Sequence, residues 1–169
     1  GQILIDGQDI KDYSQEALRK SIGLVLQEPF LYHGTIASNI RMYHEELTDE
    51  EIRQAAAFVD VADFIESLPG GYDHPVTERG STLSTGQRQL LAFARTIAAQ
   101  PKILILDEAT ANIDQETEEM IQNSLKKMRQ GRTTIAIAHR LSTIQDADCI
   151  YVLDKGKIIE SGNHDQLIA

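Results

Sequence analysis

The chain has 169 residues, of which 41% are hydrophobic and 25% charged. That balance excludes disorder as the main state and leaves enough apolar mass for a buried core. Asp plus Glu outnumber Lys plus Arg by 26 to 16, a net charge of −10, so the chain repels phosphate backbones and nucleic acid is not expected as a partner.

A local anion site built from backbone N–H groups and a metal remains compatible with that charge. No apolar run approaches the roughly 20 residues of a membrane-spanning helix, and no basic start precedes an apolar stretch. The single Cys149 excludes an internal disulfide and a thiolate metal cage. It adjoins the apolar run Ile150-Tyr151-Val152-Leu153, where a small buried hydrophobe is expected. The chain opens on Gly1 at the edge of a strand-like segment, which reads as a piece of a longer protein.

In chain order, residues 2–5 form a short apolar run closed by Asp6-Gly7, a hairpin signal. Residues 21–27 are a second strand candidate, ended by Pro29, because proline cannot extend a ladder. From about residue 30 to residue 99 the pattern is helical. Thr48-Asp49-Glu50-Glu51 is a capping box ahead of Ile52, Ala55, Ala56 and Val59. A short helix through Phe64 and Ile65 is stopped by Pro69-Gly70-Gly71. Ser84 opens a helix with apolar positions Leu90, Leu91, Ala94, Ile97 and Ala98, which Pro101 cannot continue.

The last third alternates strand and helix. Ile103-Leu104-Ile105-Leu106 has the length and continuity of a strand buried on both faces. Residues 115–128 are helical, with glutamates early and lysines late, as the helix dipole favours. Residues 133–138 read as another buried strand. Residues 148–161 read as a hairpin about Lys155-Gly156, and 165–169 as a helix start. The alternation predicts an α/β fold with a parallel core and an inserted helical lobe.

Four features carry chemistry. The strand 103–106 ends in Asp107-Glu108, placing two carboxylates at the carboxyl end of a parallel sheet, where α/β proteins bind ligands. Asp107 could hold Mg2+ and Glu108 could polarise an attacking water, although a strand meeting solvent also ends in carboxylates. Leu83-Ser84-Thr85-Gly86-Gln87 contains a capping box, Ser84 with Gln87. The same helix start, with its free N–H groups and a glycine, suits an anion. His139 follows an apolar strand and could contact a terminal phosphate or orient water; alone it is an ordinary surface or packing histidine. Gln27, at the other strand end, could meet a metal-bound water.

Taken together and in this order, these segments resemble the nucleotide-binding domain of ATP-binding-cassette (ABC) transporters. Gln27 is similar to the Q-loop glutamine, Leu83 to Gln87 to the signature loop, and Ile103 to Asp107 to the Walker B strand. Glu108 is similar to the catalytic glutamate, Ala111-Asn112-Ile113-Asp114 to the D-loop, and His139 to the switch histidine. The resemblance covers essentially the whole chain. It implies a partial RecA-like P-loop NTPase core over residues 1–29 and 93–169, with a helical signature subdomain over 30–92.

It also implies ATP and Mg2+ as cofactors, Glu108 and His139 as catalytic residues, and Asp107 and Gln27 near the metal. Ser84, Thr85, Gly86, Gln87 and Asp114 are implied at the nucleotide. Thr77-Glu78-Arg79-Gly80 resembles the X-loop of exporters, and residues 30–40 resemble the exporter region that faces coupling helices. The implied partners are a second nucleotide-binding domain and the chain's own transmembrane domain, at the cytoplasmic face of the membrane. A non-transport ABC-type ATPase of translation or repair, and a non-catalytic interaction fragment, are the alternatives.

Two departures stand out. No G-x-x-x-x-G-K-S/T phosphate loop occurs: Gly156-Lys157 is followed by Ile158, and Tyr151 stands where its first glycine belongs. The phosphate cradle is expected upstream of Gly1, and residues 1–169 alone are expected to be inactive. Thr85 stands where the common signature has glycine. An altered signature beside a normal Glu108 resembles one subunit of heterodimeric bacterial exporters.

Overall fold

The computed structural model describes residues 1–107, 113–138 and 140–168, apart from the side chains of Glu78, Leu141 and Ser142. Glu108, the D-loop residues Ala111 and Asn112, and His139 lie outside the described residues.

The chain opens with a two-residue antiparallel pair, β1 (Leu4–Ile5) and β2 (Gln8–Asp9). Its turn is Asp6-Gly7, both at positive φ, which Gly7 takes without steric cost. Helix α1 (Gln15–Ser21) follows, with Ser14 accepting from the Ala17 N–H. The sequence reading has only strands and turns here. A seven-residue helix with no buried residue leaves no apolar stripe to read.

Strand β3 (Ile22–Val25) pairs in parallel with β6 (Ile103–Asp107), and β6 pairs in parallel with β7 (Thr133–Ile137). The strand order β3-β6-β7 makes β6 central, so the alternation of strand and helix gives the expected parallel sheet. The expected burial on both faces does not hold. Along β6, Leu104 and Leu106 are buried while Ile103 and Ile105 are half-buried, and in β7 Ile135 and Ile137 are exposed. Among the described residues, burial alternates along β3 and β6, so one face of this sheet is covered more than the other.

Between β3 and β6 lies the helical lobe: α2 (Ile36–Arg41), α3 (Asp49–Phe58), α4 (Ala62–Ser67) and the long α5 (Thr85–Ala98). All five apolar positions expected on α5 are buried. The lobe is not wholly helical, because β4 (Gly34–Thr35) pairs with β5 (Pro75–Val76). The capping boxes expected at Thr48 and Ser84 are both formed, each with reciprocal side-chain and backbone hydrogen bonds.

Helix α5 is the spine of the core, touching α2, α3, α6 (Gln115–Arg129) and β3. Leu31, Ile36, Ile40, Ile52, Ile65, Phe93, Leu104, Ile121 and Met128 fill the space among them. The short α7 (Leu141–Ile144) follows β7. The chain closes with the antiparallel hairpin β8 (Ile150–Asp154) and β9 (Lys157–Gly162), turning at Lys155-Gly156 as expected, and with α8 (His164–Ile168). Cys149 is exposed, against the expectation of burial. Among the described residues the hairpin beside it pairs with no other strand, and its residues are largely exposed. Among the described residues no helix is long and apolar enough to cross a membrane.

Candidate functional site

Parallel pairing brings two of the expected residues to one edge. Val25, the last residue of β3, sits opposite Leu106. Gln27, two residues on, is exposed just beyond the carboxyl end of β3. Asp107 ends β6, half-buried and opposite Ile137 of β7. Both therefore lie at the carboxyl ends of neighbouring strands, the edge where open α/β sheets take ligands. In sequence Glu108 follows the end of β6 and His139 the end of β7, and both lie outside the described residues.

The signature residues are organised by the first turn of α5. Ser84 Oγ accepts from the Gln87 N–H at 3.1 Å, and Gln87 Oε1 accepts from the Ser84 N–H at 2.9 Å. The cap leaves the N–H groups of Thr85 and Gly86 without a partner inside the helix, beside the positive end of its dipole. Ser84 and Thr85 are exposed and Gly86 is buried. Arg88, which the sequence reading does not assign, donates to the Leu83 carbonyl at 2.7 Å and to Thr85 Oγ1 at 3.2 Å. The Thr85 hydroxyl thus has an acceptor position filled and its proton available to donate.

Gly86 faces α6. A Cβ at this position would overlap the Thr117 methyl, so only glycine lets the two helix starts approach this closely. The start of α6 is capped by Asp114, whose Oδ1 accepts from the Thr117 N–H at 2.9 Å. That hydrogen bond holds the exposed Asp114 carboxyl below the usual range. The structure therefore joins Ser84, Thr85, Gly86, Gln87 and Asp114 in one locus through Thr117, and Gln27 and Asp107 along one sheet edge.

The donor set accords with a magnesium nucleotide. Among the described residues no three His, Cys, Asp or Glu side chains gather as a metal cage. Asp107 is a single half-buried carboxylate at a strand end. Mg2+ bound with a nucleotide takes one or two carboxylates and completes its shell with phosphates and water.

A second network, also unassigned from the sequence, underlies residues 30–40. Arg95 on α5 donates to the carbonyls of Asn39 at 2.7 Å and Phe30 at 3.0 Å, and to Asn39 Oδ1 at 3.2 Å. Asn39 in turn holds both backbone groups of Tyr32. Burial pulls the Arg95 pKa down from the ordinary guanidinium value. No periodicity marks Arg95, because its acceptors, two backbone carbonyls and the Asn39 amide oxygen, lie more than fifty residues away.

These features, a parallel sheet with a carboxylate at one strand end and a capped glycine-containing helix start in the segment between β3 and β6, define an α/β protein with a parallel core. The sequence model of the family described as "ABC transporter" matches residues 1–111, and the chain belongs to that family. It is 75% identical over 169 residues to a putative ABC transporter ATP-binding protein, exp8, of Streptococcus pneumoniae, and covers 29% of that protein. It is 54% identical over 169 residues to a probable multidrug resistance ABC transporter ATP-binding/permease protein, YheH, of Bacillus subtilis, and covers 25% of it. Both alignments take in 100% of this chain. Among solved structures, a bacterial Atm1-family ABC exporter with ATP bound superposes with a TM-score of 0.88 at 46% identity, over 99% of this chain and 29% of that one. The chain thus spans less than a third of the length of these relatives.

Proposed function

We propose that this chain is the larger part of the ATP-binding and ATP-hydrolysing domain of an ABC exporter, coupling hydrolysis to export of a substrate across the membrane. The observation that carries the reading is the fit, at a TM-score of 0.88 and 46% identity, to an exporter with ATP bound. Residues 1–29 and 93–169 serve as the ATP-binding core and residues 30–92 as the signature lobe. The domain works at the cytoplasmic face, against a second nucleotide-binding domain and a transmembrane domain.

In this mechanism Asp107 would hold Mg2+ beside the phosphates of ATP. Mg2+ supplies charge neutralisation on the terminal phosphates when bound. Glu108 accepts a proton from the attacking water and orients it. His139 and Gln27 contact the terminal phosphate and the metal region. Ser84, Gly86 and the free N–H groups of the α5 start bind a nucleotide held mainly by the second domain, where the helix dipole favours negative charge. Gln87 fixes Ser84, and Asp114 fixes α6 behind Gly86. Thr85 adds a hydroxyl where the common signature has bare backbone.

The test is turnover of Mg-ATP by the full-length protein in lipid vesicles. Wild type should hydrolyse ATP, and Glu108→Gln should abolish nearly all turnover while leaving ATP binding intact. Full turnover by Glu108→Gln would remove the assigned base, and a wild-type protein that neither binds nor hydrolyses ATP would remove the reading.

A further inference from the structure

The segment that follows β7 is strapped to α6 at two points. Near its start, Arg140 Nη1 lies 2.7 Å from Glu118 Oε1, and Gln122 Nε2 donates to the same oxygen at 2.9 Å. Near its end, Arg129 Nη1 donates to the Thr143 carbonyl at 2.9 Å and pairs with Asp146 at 3.3 Å. Glu118 and Arg129 are eleven residues apart, close to three full turns, so they share one face of α6. The two straps differ in burial. The Glu118 side chain is 16% exposed, and its Oε2 is buried with no hydrogen-bond partner among the described residues. Asp146 is 57% exposed. A half-buried carboxylate needs its cation far more than an exposed one does.

Arg140 is the residue after His139, and Glu118 sits one turn after the Asp114 cap, beside the Thr117 that packs on Gly86. We infer that Glu118, acting through Arg140, is a positioning residue for the hydrolytic step: it fixes Arg140, the next residue in sequence after His139, to the same turn of α6 that supports the signature glycine. The inference rests on the proposed ATPase reading. The strap orients a group that acts on the terminal phosphate and supplies no ATP contact of its own. Its loss therefore lowers turnover and spares nucleotide affinity. Small misplacements of a reacting group cost up to about 100-fold in rate.

The experiment compares full-length wild type with E118A, R140A, E118A/R140A, R140K and D146A. It reads kcat and KM for Mg-ATP, binding of ATP without Mg2+, and Tm. Turnover in E118A and R140A should fall about tenfold or more, with KM and ATP binding within about twofold. The double variant should be no slower than the worse single one, because both break one contact. R140K should recover part of the loss, since an ammonium can replace the Nη1 contact to Glu118. D146A, which removes only the ion-pair arm of the distal strap, should lower Tm and leave kcat near wild type.

Losses that multiply in the double variant would overturn the inference. So would a kcat loss in D146A equal to that in E118A, or wild-type kcat in E118A and R140A. A wild type without ATPase activity removes the parent reading, and the positioning role falls with it. An active wild type with any of the overturning outcomes removes the positioning role alone.

Discussion

At the scale of single residues, two features of the α5–α6 junction are testable. The Gly86 position is closed by the Thr117 methyl, on a β-branched side chain with little freedom to turn away. Overpacking of this kind costs about 1–3 kcal/mol, and about 1 kcal/mol lowers Tm by roughly 2–4 °C in a domain of this size. Gly86→Ala should therefore unfold several degrees earlier. Adding Thr117→Ser, which deletes the overlapping methyl, should restore most of the loss. An unchanged Tm in the single variant would show that the junction yields freely.

Asp114 gives a pH signature at the same junction. Its folded pKa is depressed by the Thr117 N–H. Its stabilisation is therefore complete above the ordinary aspartate range near 3.8 and fades as pH falls through the lower folded value. Asp114→Asn keeps a capping oxygen but cannot titrate. The Tm advantage of wild type over Asp114→Asn should hold near neutrality and vanish in acid. An advantage that grows on acidification would contradict the cap.

At the scale of elements, α5 ties the signature turn to the segment 30–40 through Arg95. Among the described residues the guanidinium donates to neutral carbonyl and amide oxygens, with the Tyr32 ring 5.8 Å away. Removing it leaves part-buried acceptors unmade, each worth about 1–3 kcal/mol. Urea midpoints should fall in the order wild type, Arg95→Lys, Arg95→Ala, because a lysine reaches only some of the three acceptors. Equal midpoints for Arg95→Ala and wild type would assign the network no energetic role.

The same contrast between local and distant partners separates what was legible from what was not. Caps at Thr48 and Ser84, the turns at Asp6-Gly7 and Lys155-Gly156, and the core stripe of α5 depend on residues within a few positions of each other, so pattern and turn chemistry reveal them. The positions of Gln27 and Asp107 at or just beyond strand ends were legible from the apolar runs that precede them. Arg95, Arg88, the Gly86–Thr117 contact and the Glu118–Arg140 strap were not, because each partner is chosen by packing and no spacing records it. The exposure of Cys149 and the one-sided burial of β6 and β7 escaped for a related reason: an apolar run states what can be buried, and only the neighbouring layers decide which face is.

At the scale of the whole molecule, that one-sided sheet has a consequence for residues 1–169 as an isolated polypeptide. Leu24 is 53% exposed, Ile135 58% and Ile137 55%, and all three alternate with inward-facing residues of the same sheet. The inward residues Val25, Leu104 and Leu106 join the core with α5, and the outward residues form a continuous apolar strip across β3 and β7, with the half-buried Ile105 of β6 between them. A contiguous apolar surface of this kind drives association in water. The purified polypeptide should therefore sediment as dimers or larger species at micromolar concentration. Ile135→Thr with Ile137→Thr should shift it toward monomer, since threonine keeps the strand preference and removes apolar surface. The polypeptide should also bind Mg-ATP more weakly than micromolar by calorimetry. No G-x-x-x-x-G-K-S/T occurs in it, and such a loop supplies the main β/γ-phosphate contacts in proteins of this class. A monomer that binds Mg-ATP with micromolar affinity would mean that the strip is covered and the phosphates are held by residues of this chain other than a phosphate loop.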